Sequence, residues 1–341
     1  MSRKALVISG GGSRGAYAVG AIDHMVRRLG LRFDLVAGTS TGALIAPLVV
    51  TGEIDLLIQR YTSVDTDDIL EPRGLGDALL RKSALYGTRP IAGILKRDLT
   101  EARTQRILQS GMQMFLVTVE LQSGEVVYFQ SGPPAVPDPE TQIVQITSRD
   151  TLLRAVLASG SQPVFMPPIE IPQDGDPVRQ YVDGGVREVA PLKIALDNGA
   201  TELFVILLSP RTREVEDKRF ESLLGILADT IGLFGREVMK NDVRTVLRIN
   251  DGLAYLGALR QRVQDRFGLT DDETRDLFDV PNTPNPFGDK RPVTIHLIQP
   301  ETKAEVPLSA LEFDREEMRR MVERGRAKAR EVLGDAPPVV A

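Results

Sequence analysis

Apolar residues occur in short solid runs and in steps of three or four, and the two patterns alternate from the start of the chain. Residues 4–9, KALVIS, form a continuous apolar run that stops at glycine, as a strand buried on both faces does. The next stretch, RGAYAVGAIDHMVRRLG, sets Ala16, Val19, Ile22, Met25, Val26 and Leu29 at helical spacing, and Gly30 ends it. FDLVAGTS is a second short strand. TGALIAPLVVTG, residues 41–52, predicts a buried helix that Pro47 can kink. Strand, helix, strand and helix in this order make one βαβ unit and the start of another.

Residues 53–110 read as mostly helical, broken at EPRGLG and YGTRP. MQMFLVTVEL and EVVYFQ predict a hairpin across QSG. SGPPAVPDPE is a proline-rich loop, and RDTLLRAVLASG is an amphipathic helix. QPVFMPPIEIP, residues 162–172, carries prolines that forbid regular structure. RQYVDGG is a strand entering a turn, APLKIALDNGA a helix and ELFVILLSP a strongly apolar strand. Residues 217–262 read as helical. Leu223, Leu224, Leu227, Ile231 and Phe234 share one side, a stripe expected to face the core. DVPNTPNPFGDKRP is a loop, 292–298 a further sheet strand, and REEMRRMVERGRAKAREVL a charged amphipathic helix. There is no internal repeat and no linker. The expectation is an α/β fold: a three-layer α/β/α arrangement on a mostly parallel central sheet. A core at 1–210 is followed by a helical extension, 211–341, packed on the same domain.

Composition narrows the function classes. A net charge of −5 gives no electrostatic footprint for nucleic acid. There is no cysteine, which removes disulfides, thiolate nucleophiles and cysteine-based metal sites. The first apolar run is shorter than the roughly 7–15 residues of a secretory signal. No run approaches the roughly 18 apolar residues of a membrane span. These features predict a cytoplasmic protein, peripheral to a membrane at most.

Three stretches at strand ends can carry chemistry. In GGGSRG, residues 10–15, consecutive glycines allow close backbone approach, and the following helix offers free N–H groups to an anion. GTSTG, residues 38–42, is a G-x-S-x-G sequence between a predicted strand and a predicted helix, the context in which such a turn lifts its serine clear of the backbone. YVDGG puts Asp183 before Gly184 and Gly185, a pattern that a simple turn also satisfies.

Serine needs a base. Only two histidines exist, His24 and His296. The order Ser40, Asp183, His296 copies that of α/β-hydrolases, but several strands precede the elbow in that fold and one does here. His296 alternates within a strand as a half-buried residue would, and His24 is expected to face solvent on the first helix. With both set aside, the base is a carboxylate. Two other readings of the loop compete. A dinucleotide-binding oxidoreductase would use G-x-G-x-x-G at 10–15, but wants an acid at the end of the second strand, where GTSTG stands. A P-loop would need lysine after the glycine loop, where Gly15 follows Arg14.

Taken together, these motifs resemble the patatin-like phospholipase family. GGGSRG at 10–15, GTSTG at 38–42 and DGG at 183–185 follow that family's order. ASGSQPVFMPP at 158–168 resembles the segment ahead of its base motif, with Ser161 in place of an alanine and Met166 in place of a phenylalanine. The likeness covers about residues 4–210. It implies a Ser40–Asp183 dyad acting on carboxylic esters of phospholipids or lysophospholipids, with no cofactor and no metal. It implies an oxyanion hole from the N–H groups of Gly11, Gly12 and Ser13, and an Arg14 that contacts an anion or phosphate. Gly10, Gly15, Gly38, Gly42, Gly184 and Gly185 complete the motifs. An ordinary aspartate is a poor base for a hydroxyl, so the site must desolvate Asp183 and raise its pKa. The partners implied are a lipid ester and transient contact with a membrane surface. A catalytically idle lipid-binding protein on the same fold is the remaining alternative.

Overall fold

The computed structural model describes residues 2–72, 84–172, 178–212, 219, 223–280, 283, 285–288 and 290–335. The solid apolar runs become the middle of a nine-stranded sheet. Strand β1 (Lys4–Ile8) lies parallel between β2 (Leu35–Thr39) and β10 (Glu202–Ile206). β11 (Thr294–Ile298) adds in parallel beyond β10. On the other side β2 pairs in parallel with β5 (Gln113–Glu120), which turns back into β6 (Val126–Ser131) as an antiparallel hairpin. A small separate ribbon joins β3 (Glu71–Pro72) and β4 (Tyr86–Gly87).

Alternate residues of each central strand serve different layers. Leu6, Ile8, Val36, Met114 and Leu116 point to one face. That face is covered by α1 (Gly15–Asp23), α2 (Thr41–Val50), α3 (Ile54–Thr62), α7 (Arg149–Ser159) and α11 (Arg315–Leu333). The short α4 (Thr66–Ile69), α5 (Arg89–Asp98) and α6 (Glu101–Leu108) flank them. Ala5, Val7, Leu35, Ala37, Phe115 and Val117 point to the opposite face. There they meet α8 (Leu192–Asp197) and, through Met239 and Val246, α9 (Leu223–Phe267). This is the expected three-layer α/β/α fold. Among the described residues no helix is long and apolar enough to cross a membrane.

Three readings change, and a fourth falls outside the described residues. The proline-rich stretch 162–172 is not wholly irregular: β8 (Ile169–Ile171) fits between Pro168 and Pro172 and pairs with the end of the sheet through β9 (Arg179–Asp183). Its prolines flank the strand, so no ladder donor is lost. β7 (Gln142–Gln145) also forms, parallel to β6; its two apolar residues are too few to signal a strand. The predicted break at EPRGLG falls mostly on residues 73–83, outside the described residues. His24 is buried, 4% exposed, with Nε2 2.8 Å from the Gly334 carbonyl oxygen. α11 packs across α1 so closely that a Cβ on Gly20 would enter the Val322 carbonyl and one on Gly325 the Tyr17 carbonyl.

α9 is the largest departure. It has 45 residues, about 67 Å of helix. The start of the predicted helix, 217–222 apart from Arg219, lies outside the described residues, as do the side chains of Leu223, Leu224 and Leu227. The described part of the predicted stripe does not face the core. Ile231 and Phe234 border the cavity beside Ser40, and Phe234 is 67% exposed. Further along, Asn250 brackets Val293, accepting from its N–H at 3.0 Å and donating to its carbonyl at 2.7 Å. α10 (Asp271–Phe278) follows behind a Thr270–Glu273 capping box.

Candidate active site

Ser40 and Asp183 meet because two strands end against the same edge of β5. β2 runs parallel to β5 and stops with Thr39 opposite Val117. β9 runs antiparallel to β5 and stops with Asp183 opposite Thr118, the next residue. Their carboxyl ends therefore abut. The Ser40 side chain lies close enough to the Asp183 carboxylate to draw its pKa down. The Gly185 N–H donates to that carboxylate, at 2.8 Å from Oδ1.

The GTSTG turn is a strained elbow. Ser40 sits at φ 56° and ψ −120°, a region that residues with a side chain rarely occupy. A Cβ on Gly38 would strike Gly42, and one on Gly42 would enter the Ile8 carbonyl, so both ends of the motif are held to glycine by contact. α2 starts at Thr41, placing Ser40 at the positive end of its dipole.

One segment braces both residues, and sequence reading did not single out its key side chain. Ser159, fully buried, accepts the Ser40 N–H at 3.0 Å through Oγ and donates to the Val117 carbonyl at 2.6 Å. Two residues on, the Ser161 carbonyl accepts the Asp183 N–H at 2.9 Å. The ASGSQPVFMPP stretch was the available signal, but nothing in it separates Ser159 from Ser161, whose own hydroxyl merely donates to the Leu157 carbonyl at 2.8 Å. Ser159→Ala leaves two buried polar groups unpaired at about 1–3 kcal/mol. The expected result is a kcat lowered about 10- to 100-fold with KM little changed, read by steady-state kinetics on a soluble ester.

The glycine loop crosses the same sheet edge. Gly10 donates its N–H to the Val189 carbonyl at 3.1 Å, and a Cβ there would stand 3.2 Å from Ser40 Cβ. Gly12 has φ +60°, and a Cβ on it would run into the Ala310 carbonyl. The N–H groups of Gly11 and Gly12 have no protein acceptor among the described residues. Ser13 corrects the expectation. Its N–H already donates to the Ala310 carbonyl at 3.1 Å and its hydroxyl to the Ser309 carbonyl at 2.9 Å, so it ties the loop to the chain before α11 and has no donor to spare. Gly15 opens α1. Gly184 accepts the N–H groups of Arg187 and Glu188 through its carbonyl. Arg14 lines the cavity and donates from Nε to the Leu308 carbonyl at 2.9 Å.

The cavity beside Ser40 and Asp183 has a volume of about 800 Å³ and a mainly apolar wall, including Leu44, Leu48, Leu57, Ile91, Leu95 and Met166. Burial pushes the Asp183 carboxyl up to about 6, and the nearby Ser40 side chain and the hydrogen bond from Gly185 offset only part of that rise. Neither histidine borders the cavity. His296 is half-buried in β11, 3.0 Å from Glu202 and stacked on Phe204. Asp34, the acid a dinucleotide site would need, lies at the opposite end of β2, where it accepts the Lys4 N–H at 2.7 Å.

Residues 6–196, which contain both Ser40 and Asp183, match the family model described as patatin-like phospholipase. That match takes in more than half of the sequence, and the chain belongs to the patatin-like phospholipase family, a family of lipid hydrolases. The chain is 29% identical over 244 residues to YqhO, described as an uncharacterized protein, of Bacillus subtilis, covering 66% of this chain and 79% of that one. It is 44% identical over 64 residues to a cUMP-AMP-activated phospholipase of Escherichia coli, or 17% of this chain and 20% of that protein. It is 28% identical over 196 residues to the patatin-like phospholipase domain-containing protein ZK370.4 of Caenorhabditis elegans, or 57% of this chain and 13% of that protein. α9, β11 and α11 lie outside the residues the family model matches.

Proposed function

We propose that the protein is a serine acyl hydrolase that cleaves carboxylic esters of phospholipids or lysophospholipids through Ser40 and Asp183. The observation that carries this reading is the juxtaposition of Ser40 and Asp183, at abutting strand ends, beside an apolar cavity large enough for a lipid chain. Ser40 Oγ attacks the ester carbonyl carbon as Asp183 takes its proton. The carbonyl oxygen becomes an oxyanion facing the N–H groups of Gly11 and Gly12, each donor typically contributing about 3–4 kcal/mol of barrier lowering. Collapse breaks the bond to the alcohol, which leaves with the proton from Asp183. A water then attacks the acyl-serine while Asp183 removes its proton, and the second collapse returns that proton to Ser40 and frees the fatty acid.

The raised pKa of Asp183 suits this role, because a base near 6 is ionised at neutral pH yet accepts a proton more readily than an ordinary carboxylate. The leucine and isoleucine wall accommodates the acyl chain, and exposed Phe234, Val164 and Val186 at its border suit brief contact with a lipid surface. Hydrolysis of p-nitrophenyl esters tests the reading. Ser40→Ala is expected to lower kcat by about 10⁴-fold or more, while the double variant His24→Ala, His296→Ala keeps its activity in the fraction that folds. Loss of activity in a folded double-histidine variant overturns the dyad.

A further inference from the structure

A run of glycines has no side chains to pack, so backbone hydrogen bonds largely set where it lies. The loop at 10–15 hangs between two of them. At its far end Ser13 donates its N–H to the Ala310 carbonyl, and at its near end Gly10 donates to the Val189 carbonyl at 3.1 Å. Gly11 and Gly12 stand between these tethers. Gly10 also backs onto the nucleophile, since a Cβ on it would stand 3.2 Å from Ser40 Cβ. The place of the Val189 carbonyl therefore bears on the spacing between the proposed oxyanion donors and Ser40.

That carbonyl belongs to the peptide unit 189–190. The N–H at the other end of the unit, that of Ala190, donates to Asp242 Oδ2 at 3.1 Å. A trans peptide is planar and points its C=O and N–H in opposite directions. With both ends bonded, the unit cannot turn without losing the Gly10 bond or the Asp242 bond. Asp242 lies on α9, in the middle of the patch that docks this helix on the sheet: Met239, one turn before it, and Val246, one turn after, are buried. Two turns before Asp242, a Cβ on Gly235 would stand 3.9 Å from Val189 Cγ2, so α9 runs alongside the peptide it anchors.

The charge of Asp242 adds to the bond. Burial pushes its carboxyl up to about 6, and the N–H groups of Ala190 and Val189 draw part of that rise back. It is therefore ionised at neutral pH, and a hydrogen bond to a charged acceptor is about twice as strong as a neutral one. Hydrogen bonds in series polarise one another, so the carboxylate makes the Val189 carbonyl a better acceptor for Gly10. A second tether on this segment leaves the 189–190 peptide alone: Tyr128 donates its hydroxyl to Glu188 Oε2 at 2.6 Å.

We infer that Asp242 is a positioning residue for the hydrolysis: it fixes the 189–190 peptide, and through that peptide the glycine loop whose Gly11 and Gly12 N–H groups face the oxyanion. This rests on the hydrolase reading above. Asp242 lies outside the residues that the family model matches, so α9 acts on the site from beyond the matched region.

Steady-state hydrolysis of p-nitrophenyl butyrate tests the brace. Asp242→Ala is expected to lower kcat by about 10- to 100-fold with KM little changed, the range for losing a charged hydrogen-bond partner. Asp242→Asn keeps an acceptor oxygen and is expected to recover most of that loss. Val246→Ala loosens the same docking patch without touching the peptide, and is expected to lower the melting temperature while the folded fraction keeps its kcat. An Asp242→Ala variant with wild-type kcat overturns the brace, as does an Asn variant no better than Ala, or an equal fall in Val246→Ala.

Hydrogen exchange separates this from the hydrolase reading. In Asp242→Ala the amides of Gly10 and Ala190 are expected to exchange about tenfold faster or more, while the Leu31 amide, bonded to the Met25 carbonyl, is unchanged. A Gly10 amide that exchanges at the wild-type rate overturns the brace. If the wild type hydrolyses no ester, the hydrolase reading fails, and the Gly10 amide then judges the brace alone.

Discussion

Asp183→Asn is expected to lower ester hydrolysis by about 10⁴-fold, the scale seen when a buried triad aspartate is replaced by asparagine, and to raise the melting temperature at about pH 8. The two effects have one cause. Asp183 is 6% exposed, and burial lifts its pKa to about 6 against an ordinary 3.8. The folded state therefore holds this proton more tightly than the unfolded chain. Ionising the carboxylate costs stability as pH rises through that interval, and the full cost, at most about 3 kcal/mol, stands above about pH 6. Asparagine carries no such cost, so its stabilising effect is present above about pH 6 and fades below about pH 4. The same proton governs activity. The wild-type kcat/KM is expected to fall about tenfold per pH unit below about pH 6, as the proposed base becomes protonated. A pH–rate profile flat to about pH 4.5, or an active Asp183→Asn, removes Asp183 from that role.

Gly12→Ala is expected to lower kcat by at least about 10²–10³-fold, the loss for one misplaced oxyanion donor, and to destabilise the fold. At φ +60° an alanine costs about 1–2 kcal/mol by itself. Its Cβ also meets the Ala310 carbonyl, which already accepts the Ser13 N–H. The loop can relax only by moving, and moving it displaces the N–H groups of Gly11 and Gly12 together. Gly30→Ala is the control. Gly30 has φ +65° and nothing within 4 Å of a new Cβ, so it loses about 1–2 kcal/mol of stability and keeps its kcat. Equal kcat values for the two variants would show that the loop position does not matter to catalysis.

The central sheet was legible because β1, β2 and β10 are buried on both faces and read as unbroken apolar runs. The edge was not. β7 and β8 are short, and their pairing depends on neighbours far along the chain. His24 was assigned to solvent although the sequence held a contrary sign: residues 15–22 contain no charge at all, the mark of a helix buried all round. What covers it is α11, about 300 residues later, and no local pattern reveals that docking.

The site divides in the same way. Ser40 and Asp183 stood out through motifs whose glycines answer to local contacts. That they touch follows from the registers of β2 and β9 on β5, which sequence spacing does not carry. Ser13 was misassigned because its N–H is taken by Ala310, nearly the whole chain away. Ser159 was missed for the complementary reason: it is an unremarked member of a helix until the fold brings it to Ser40.

The most direct test of Ser40 as an activated nucleophile is its reaction with a fluorophosphonate, followed by peptide mapping. The dyad predicts a single phosphonyl adduct on Ser40, absent in Ser40→Ala and formed far more slowly in Asp183→Asn. A folded wild-type protein that takes no adduct, or takes it on another residue, contradicts the account.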